Sequence, residues 1–312
     1  MKRSWVSTHR PSTLDEFVFS EPVHREYVEG WLKNGSFPHV MFSGAAGTGK
    51  TSMAKLLIKL FDVNRFDTLF IPASRENGID MINTKITNFV STMPLGEFKV
   101  VFLDEADYLS PNAQGGLREL METYEDTTRF IFTCNYAHKI IEPLGSRLQG
   151  WHIDKMDKTE FTARAATVLV EEEITFDLPT LDTYVKAAYP DLRKCINMLD
   201  QNSLTGTLIV PSESEEQNLD YRLHAVEMFR NGKHTEARKL ICKQLRNEDV
   251  HEMFAWLYDN LELWSSTEQG QNDAERIIRN SISKVPTQPY PEINLSVTII
   301  DLCKIKVSED AS

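Results

Sequence analysis

Residues 44–51 read Gly44-Ala45-Ala46-Gly47-Thr48-Gly49-Lys50-Thr51, a full match to G-x-x-x-x-G-K-[ST], the phosphate-binding loop. Its glycines let the backbone approach phosphate oxygens with no Cβ in the way. The N–H groups of the loop and of the next helix's first turn form an anion site. Lys50 is placed to reach the β- and γ-phosphates of a nucleotide, and Thr51 offers its hydroxyl to Mg2+. The flanks agree with the motif. His39-Val40-Met41-Phe42 reads as a short buried strand, and Met53, Leu56, Leu57 and Leu60 recur at helical spacing across Lys50–Phe61.

Further strands read over Thr68–Pro72, Phe98–Glu105, Arg129–Asn135 and Gly150–Ile153, with helices over Ser20–Trp31, Ile79–Val90 and Asn112–Tyr124. This alternation predicts an α/β fold whose parallel sheet is covered on both faces. After Asp157 the pattern turns helical, over about 157–173, 178–188 and 191–203. Residues 205–216 mark a boundary. Helices resume over about 217–230, 233–246, 250–264, 271–284 and 292–305, before a polar tail at Ser308–Ser312 that reads as disordered. The expected division is 1–155, 156–210, 211–307 and the tail 308–312.

The totals exclude several classes. No apolar run approaches the roughly 20 residues of a membrane span, and the N-terminus has no apolar core of a secretion signal. Cys134, Cys195, Cys242 and Cys303 lie far apart with no C-x-x-C, which suggests neither a zinc site nor a disulfide framework and fits a reducing cytosol. Net charge is −12, with no basic tail or basic domain. Any contact with nucleic acid must therefore use a local patch, repeated across subunits.

Val100-Val101-Phe102-Leu103-Asp104-Glu105 delivers two carboxylates at the end of an apolar strand. After a phosphate-binding loop, Asp104 fits a Mg2+-holding role and Glu105 the orientation or deprotonation of an attacking water. Asn135 ends the next strand, where its amide could polarise the same water. Arg147, in Leu144-Gly145-Ser146-Arg147, is either a solvated charge at the domain edge or an arginine finger entering a neighbour's site. Arg193, in Tyr189-Pro190-Asp191-Leu192-Arg193, is either a surface charge or a group that reaches back to the γ-phosphate.

In order, the loop, Asp104-Glu105, Asn135, Ser146-Arg147 and Pro190-Asp191-Leu192-Arg193 resemble the AAA+ ATPases. His9-Arg10-Pro11-Ser12-Thr13-Leu14-Asp15-Glu16-Phe17, Gln114-Gly115-Gly116-Leu117-Arg118-Glu119-Leu120-Met121-Glu122 and Gly78-Ile79-Asp80 narrow the resemblance to sliding-clamp loader subunits, nearest the large subunit of T-even-type bacteriophages. The resemblance implies a AAA+ P-loop parallel-sheet core over 1–155, a helical lid over 156–210 and an all-helical oligomerisation collar over 211–307. It implies ATP and Mg2+ as cofactors. It also implies a heteropentamer in which a homotetramer of this chain joins a small clamp-loader subunit, and a sliding clamp and primer–template DNA as partners in the host cytoplasm.

Matched by position, the resemblance implies that Val6, Ser7, Thr8, His9 and Val18 border the base, with Arg10 and Pro11 also among the nucleotide-binding residues. Gly44, Gly47, Thr48, Gly49, Lys50, Thr51 and Ser52 hold phosphates. Arg193 becomes the lid sensor, Arg147 acts in trans, and Gln114 couples DNA contact to hydrolysis. Arg75, Lys85 and Arg118 are candidate DNA contacts or a solvated helix face. Phe89, Met93 and Leu95 are part of a clamp contact or a helix end packed in the core. The rival function is a AAA+ remodeller or helicase-type motor. Against it, Met93-Pro94-Leu95-Gly96-Glu97 lacks the aromatic-apolar-Gly pattern of pore loops.

Overall fold

A computed structural model describes residues 4–19, 21–210, 221–246, 249–285 and 290–310 of the chain. It divides into two compact units, one of Ser7–Glu160 and one of Met1–Val6 with Phe161–Ser312.

The first unit is built on five strands: β1 Val40–Ser43, β2 Thr68–Pro72, β3 Lys99–Asp104, β4 Thr128–Cys134 and β5 Gln149–His152. They are all parallel, in the order β2-β3-β4-β1-β5. Successive side chains of a strand point to opposite faces, and both faces of the central strands are apolar. Val101, Leu103, Phe130 and Phe132 pack on one side, and Val100, Phe102, Ile131, Val40 and Phe42 on the other.

Helices cover both faces. After α1 Trp5–Thr8, whose residues are divided between the two units, they are in chain order α2 Pro22–Asn34, α3 Lys50–Leu60, α4 Ile79–Met81, α5 Thr87–Val90, α6 Pro111–Thr123 and α7 Glu142–Gly145. The helix expected over 79–90 is one continuous run, but Ile82–Ile86 between α4 and α5 is a π turn. Spacing explains it. The buried residues Ile82, Ile86 and Val90 recur every four positions, which drifts off a 3.6-residue period. A wider turn with i→i+5 bonds restores the shared face.

The second unit is helical: α8 Lys158–Glu171, α9 Leu178–Ala188, α10 Leu192–Gln201, α11 Tyr221–Arg230, α12 His234–Gln244, α13 Val250–Asp259, α14 Glu268–Ile282 and α15 Pro291–Asp310. α9 and α11 are joined by Arg230, whose Nη1 donates to Pro179 O at 2.7 Å, and Trp256 Nε1 donates to Lys186 O at 2.8 Å. The stretches expected to be lid and collar thus pack into one body. Of the expected tail, Ser308–Asp310 fall within the bounds of α15, and Ala311 and Ser312 lie outside the described residues. Residues 211–216 of the expected boundary and 217–220 of the expected helix also lie outside them.

Candidate nucleotide site

The loop between β1 and α3 has the strained geometry its glycines permit. Gly44 and Gly49 have φ of 144° and 103°, values that a residue with a Cβ rarely adopts. Space forbids a side chain as well, since a Cβ on Gly44 would lie 2.3 Å from Ile153 O. At Gly49 a Cβ would meet the Phe17 ring at 3.6 Å, so the segment leading to Val18 lies against the loop.

Lys50 is buried at the first turn of α3 and donates through Nζ to Gly44 O at 3.0 Å and to Ala45 O. Its charge is felt as far as Cys134: burial pushes that thiol up to about 11, Asp107 adds to the rise, and Lys50 opposes it. Thr48 Oγ1 donates to Ala45 O at 3.0 Å. Ser52 is half-buried one residue beyond Thr51.

Asp104 ends β3 beside the loop. Its Oδ1 accepts from Thr51 Oγ1 at 3.0 Å and from Thr133 Oγ1. Thr133 Oγ1 also accepts from Glu105 N at 3.1 Å, so one β4 hydroxyl fixes both acidic positions. Glu105 is exposed and lies in the left-handed region at φ 59°, ψ 43°. That conformation costs a non-glycine residue on the order of 1–3 kcal/mol and recurs at functional sites. Asn135 is exposed at the end of β4, where its N–H donates to Asp107 Oδ1 at 3.3 Å.

The structure therefore brings together Gly44, Gly47, Thr48, Gly49, Lys50, Thr51, Asp104, Glu105 and Asn135. Two residues were missed. Asp107 is buried and supports Asn135. Thr133 had a signal in the sequence, a hydroxyl directly after the apolar run Phe130-Ile131-Phe132, but finding it required the pairing of β3 with β4.

Among the described residues no group of three or more His, Cys, Asp or Glu could hold a metal ion. The donor set present still suits Mg2+ on a nucleotide. This cation keeps several waters and takes one or two protein oxygens beside phosphates, and Thr51 and Asp104 supply a hydroxyl and a carboxylate in mutual contact.

The other expected residues are distributed as follows. Val6 belongs to the second unit and Ser7 to the first, with Thr8 closing α1 and His9, Arg10 and Pro11 following it. Arg193 is exposed in the first turn of α10 in the second unit. Arg147 is half-buried at the edge of the first unit. It donates through Nη1 to Pro143 O at 2.7 Å and pairs through Nη2 with Glu122. Gln114 is buried and fully engaged. Its Nε2 donates to Leu109 O at 3.2 Å and Lys139 O at 3.1 Å, and its Oε1 accepts from Ile141 N at 2.7 Å. Arg75, Lys85 and Arg118 are exposed, Lys85 paired with Glu76 and Arg118 with Glu122.

Met93 and Leu95 are 84% and 71% exposed, which removes the packed-core reading for both, whereas Phe89 is half-buried. Their loop is firmly held. Asp67 accepts from Leu95 N and, at 2.8 Å, from Gly96 N, while the buried Lys99 donates to Phe89 O at 2.7 Å.

Comparison with known proteins agrees with this geometry. Residues 40–151 match the model of the ATPase family associated with various cellular activities. The replication factor C small subunit of Picrophilus torridus is 37% identical over 249 residues, 77% of this chain and 78% of the relative. That of Methanococcus vannielii is 33% identical over 78% and 79% of the two chains. Among solved structures, the Thermotoga maritima RuvB Holliday junction branch migration motor superposes with a TM-score of 0.56 over 71% of this chain and 78% of that one. At 16% identity it is similar in fold alone.

Proposed function

This chain belongs to the family of replication factor C small subunits, clamp-loader-type AAA ATPases, and we propose that its ATP site drives the loading of a sliding clamp onto primer–template DNA. The observation that carries the proposal is the chain of contacts Thr51–Asp104–Thr133–Glu105, set against a loop whose lysine is already turned onto its own carbonyls. Family membership replaces the remodeller or helicase alternative.

In this reading ATP lies along residues 44–52, with its β- and γ-phosphates taking Lys50 Nζ from the loop carbonyls. Thr51 and Asp104 would hold Mg2+, which when bound supplies charge neutralisation at the phosphate oxygens. Glu105 orients and deprotonates the water that attacks the γ-phosphorus, Asn135 fixes that water from the neighbouring strand, and ADP leaves as the β–γ bridge breaks. The motif resemblance assigns Val6 to His9 and Val18 to the adenine, adds Arg10 and Pro11 to the nucleotide-binding residues, and gives Arg193 the role of a γ-phosphate sensor. Arg147 enters the site of the adjoining subunit.

Arg75, Lys85 and Arg118 contact DNA phosphates, and Gln114 couples that contact to hydrolysis. Met93 and Leu95, held out by Asp67 and Lys99, contact the clamp, with Phe89 behind them. The lid spans 156–210 and the oligomerisation collar 211–307. The finer reading is a bacteriophage large clamp-loader subunit, four copies of which join one small subunit. It rests on the motif resemblance, since the relatives named above are archaeal.

The test is ATP turnover by the chain assembled with its small partner, with and without clamp and primer–template DNA. Stimulation that needs both clamp and DNA supports the reading. Turnover indifferent to the clamp overturns it.

A further inference from the structure

Two short 3-10 turns, Ala106–Tyr108 and Ala137–Lys139, follow β3 and β4. These strands are parallel neighbours, so the turns emerge side by side beyond Glu105 and Asn135. They gather four side chains that the ATP site does not use. Lys139 Nζ lies 4.7 Å from the centre of the Tyr136 ring and 5.8 Å from that of Tyr108. The His138 ring is 5.8 Å from Tyr136. Both tyrosines are 54% exposed, whereas the aromatic residues inside the same strands, Phe102, Phe130 and Phe132, are buried.

We propose that Tyr108, Tyr136, His138 and Lys139 form a stacking platform for an unpaired base of a nucleic-acid strand, with Lys139 taking the adjoining phosphate. Exposed ring faces beside a cation are the chemistry of single-strand recognition, where stacking tolerates any base and lysine tracks the backbone. An acidic peptide would use the cation and leave two ring faces idle. The overall charge sharpens the choice. At −12 the chain gains little from general phosphate attraction, so a site on it needs a contribution that net charge does not cancel, and stacking supplies one.

The platform adjoins the hydrolysis residues through rigid links. Gln114 donates to Leu109 O, just after Tyr108, and to Lys139 O, so one amide fixes both turns. Tyr136 directly follows Asn135, and Tyr108 N donates to Glu105 O at 3.0 Å. A bound base therefore bears on both groups assigned to the attacking water. This consequence rests on the ATPase reading above, while strand binding does not.

The test is binding of the full chain to labelled oligothymidylate and to a duplex containing the same strand, at several salt concentrations, with ATP affinity as the check on folding. Tyr136→Ala is expected to weaken oligothymidylate binding about 5- to 150-fold, to spare the duplex, and to be rescued by Tyr136→Phe. Lys139→Gln is expected to lower the slope of log affinity against log salt by about 0.7, the value for one single-strand phosphate, a slope that the tyrosine variant leaves alone. The proposal is overturned if Tyr136→Ala binds as the parent does, if it loses single strand and duplex equally, or if the parent binds no oligothymidylate. Oligothymidylate binding that survives beside clamp-independent turnover would overturn the clamp-loader reading and keep the platform.

Discussion

Glu122 holds Arg147. Its carboxylate accepts from Arg147 Nη2, and the same oxygen lies 3.7 Å from Arg118 Nε. The guanidinium proposed for a neighbour's γ-phosphate is thus parked on its own chain, beside a candidate DNA contact. All three side chains are partly exposed, and exposed pairs contribute about 0–1 kcal/mol, so the parking contact yields easily to a phosphate. Glu122→Gln should release the arginine and raise steady-state ATP turnover by up to about fivefold. A fall in turnover would mean that Glu122 positions the arginine for reaction.

Lys50 offers a more severe test. Its ammonium is buried on loop carbonyls. Lys50→Ala should weaken ATP binding by about 10- to 150-fold, the loss expected for hydrogen bonds to charged groups. Titration of a fluorescent ATP analogue reads it, and an unchanged affinity would place the nucleotide elsewhere.

Glu105→Gln should separate binding from turnover. The change keeps the side-chain shape and leaves the contacts of Asp104 to Thr51 and Thr133 in place. ATP affinity should persist while turnover falls on the order of 10²–10⁴-fold, and single-turnover hydrolysis is the measurement. Parent-like hydrolysis would move the water-directing role to another group.

Most of this site was legible because its chemistry is local in sequence. The loop is contiguous, and Asp104, Glu105 and Asn135 each end a short apolar run that reads as a strand. Strand positions followed from the same runs, because β3 and β4 are buried on both faces and read as unbroken hydrophobic segments. What the sequence hid is relational. Thr133 matters because β4 pairs with β3, Gln114 because its amide spans three backbone groups, and Glu122 because Arg147 folds back to it. The π turn was hidden for another reason: a four-residue spacing suits a slightly drifting α-helix as well as a wide turn.

His39 gives the fold a dependence on pH. Burial and, secondarily, the charge of Arg129 lower its pKa to about 4, and its Nδ1 accepts from Phe130 N at 3.1 Å. In the unfolded chain the imidazole titrates near about 6.5. Between those values the unfolded state binds more protons, so this contribution is complete above about pH 6.5, declines as pH falls, and is gone below about pH 4. The ring is half-buried, which limits the loss to no more than about 3 kcal/mol. Urea denaturation from pH 7 to 4.5 should show the decline, and His39→Asn, which keeps an acceptor without the titration, should flatten it. Equal slopes for parent and variant would assign the effect to other groups.

The trans role proposed for Arg147 makes the strictest prediction. In the isolated chain its guanidinium is spent on Pro143 O and Glu122, within the first unit and at its edge. An arginine finger contributes about 10³–10⁵ in rate, so Arg147→Ala should nearly abolish turnover while each subunit still binds ATP. Lys50→Ala subunits should fail for the opposite reason, keeping the proposed finger and losing the proposed phosphate grip. Where the two variants adjoin in the right order, an intact loop meets an intact arginine. Turnover of mixed assemblies should therefore rise and then fall with the fraction of either variant, peaking at intermediate ratios, even though both pure assemblies are inactive. Subunit exchange, followed by energy transfer between labelled chains, must be established in the same samples. With exchange established, a flat and inactive profile would show that Arg147 does not act between chains, and the contact with Glu122 would then be its resting place in every state.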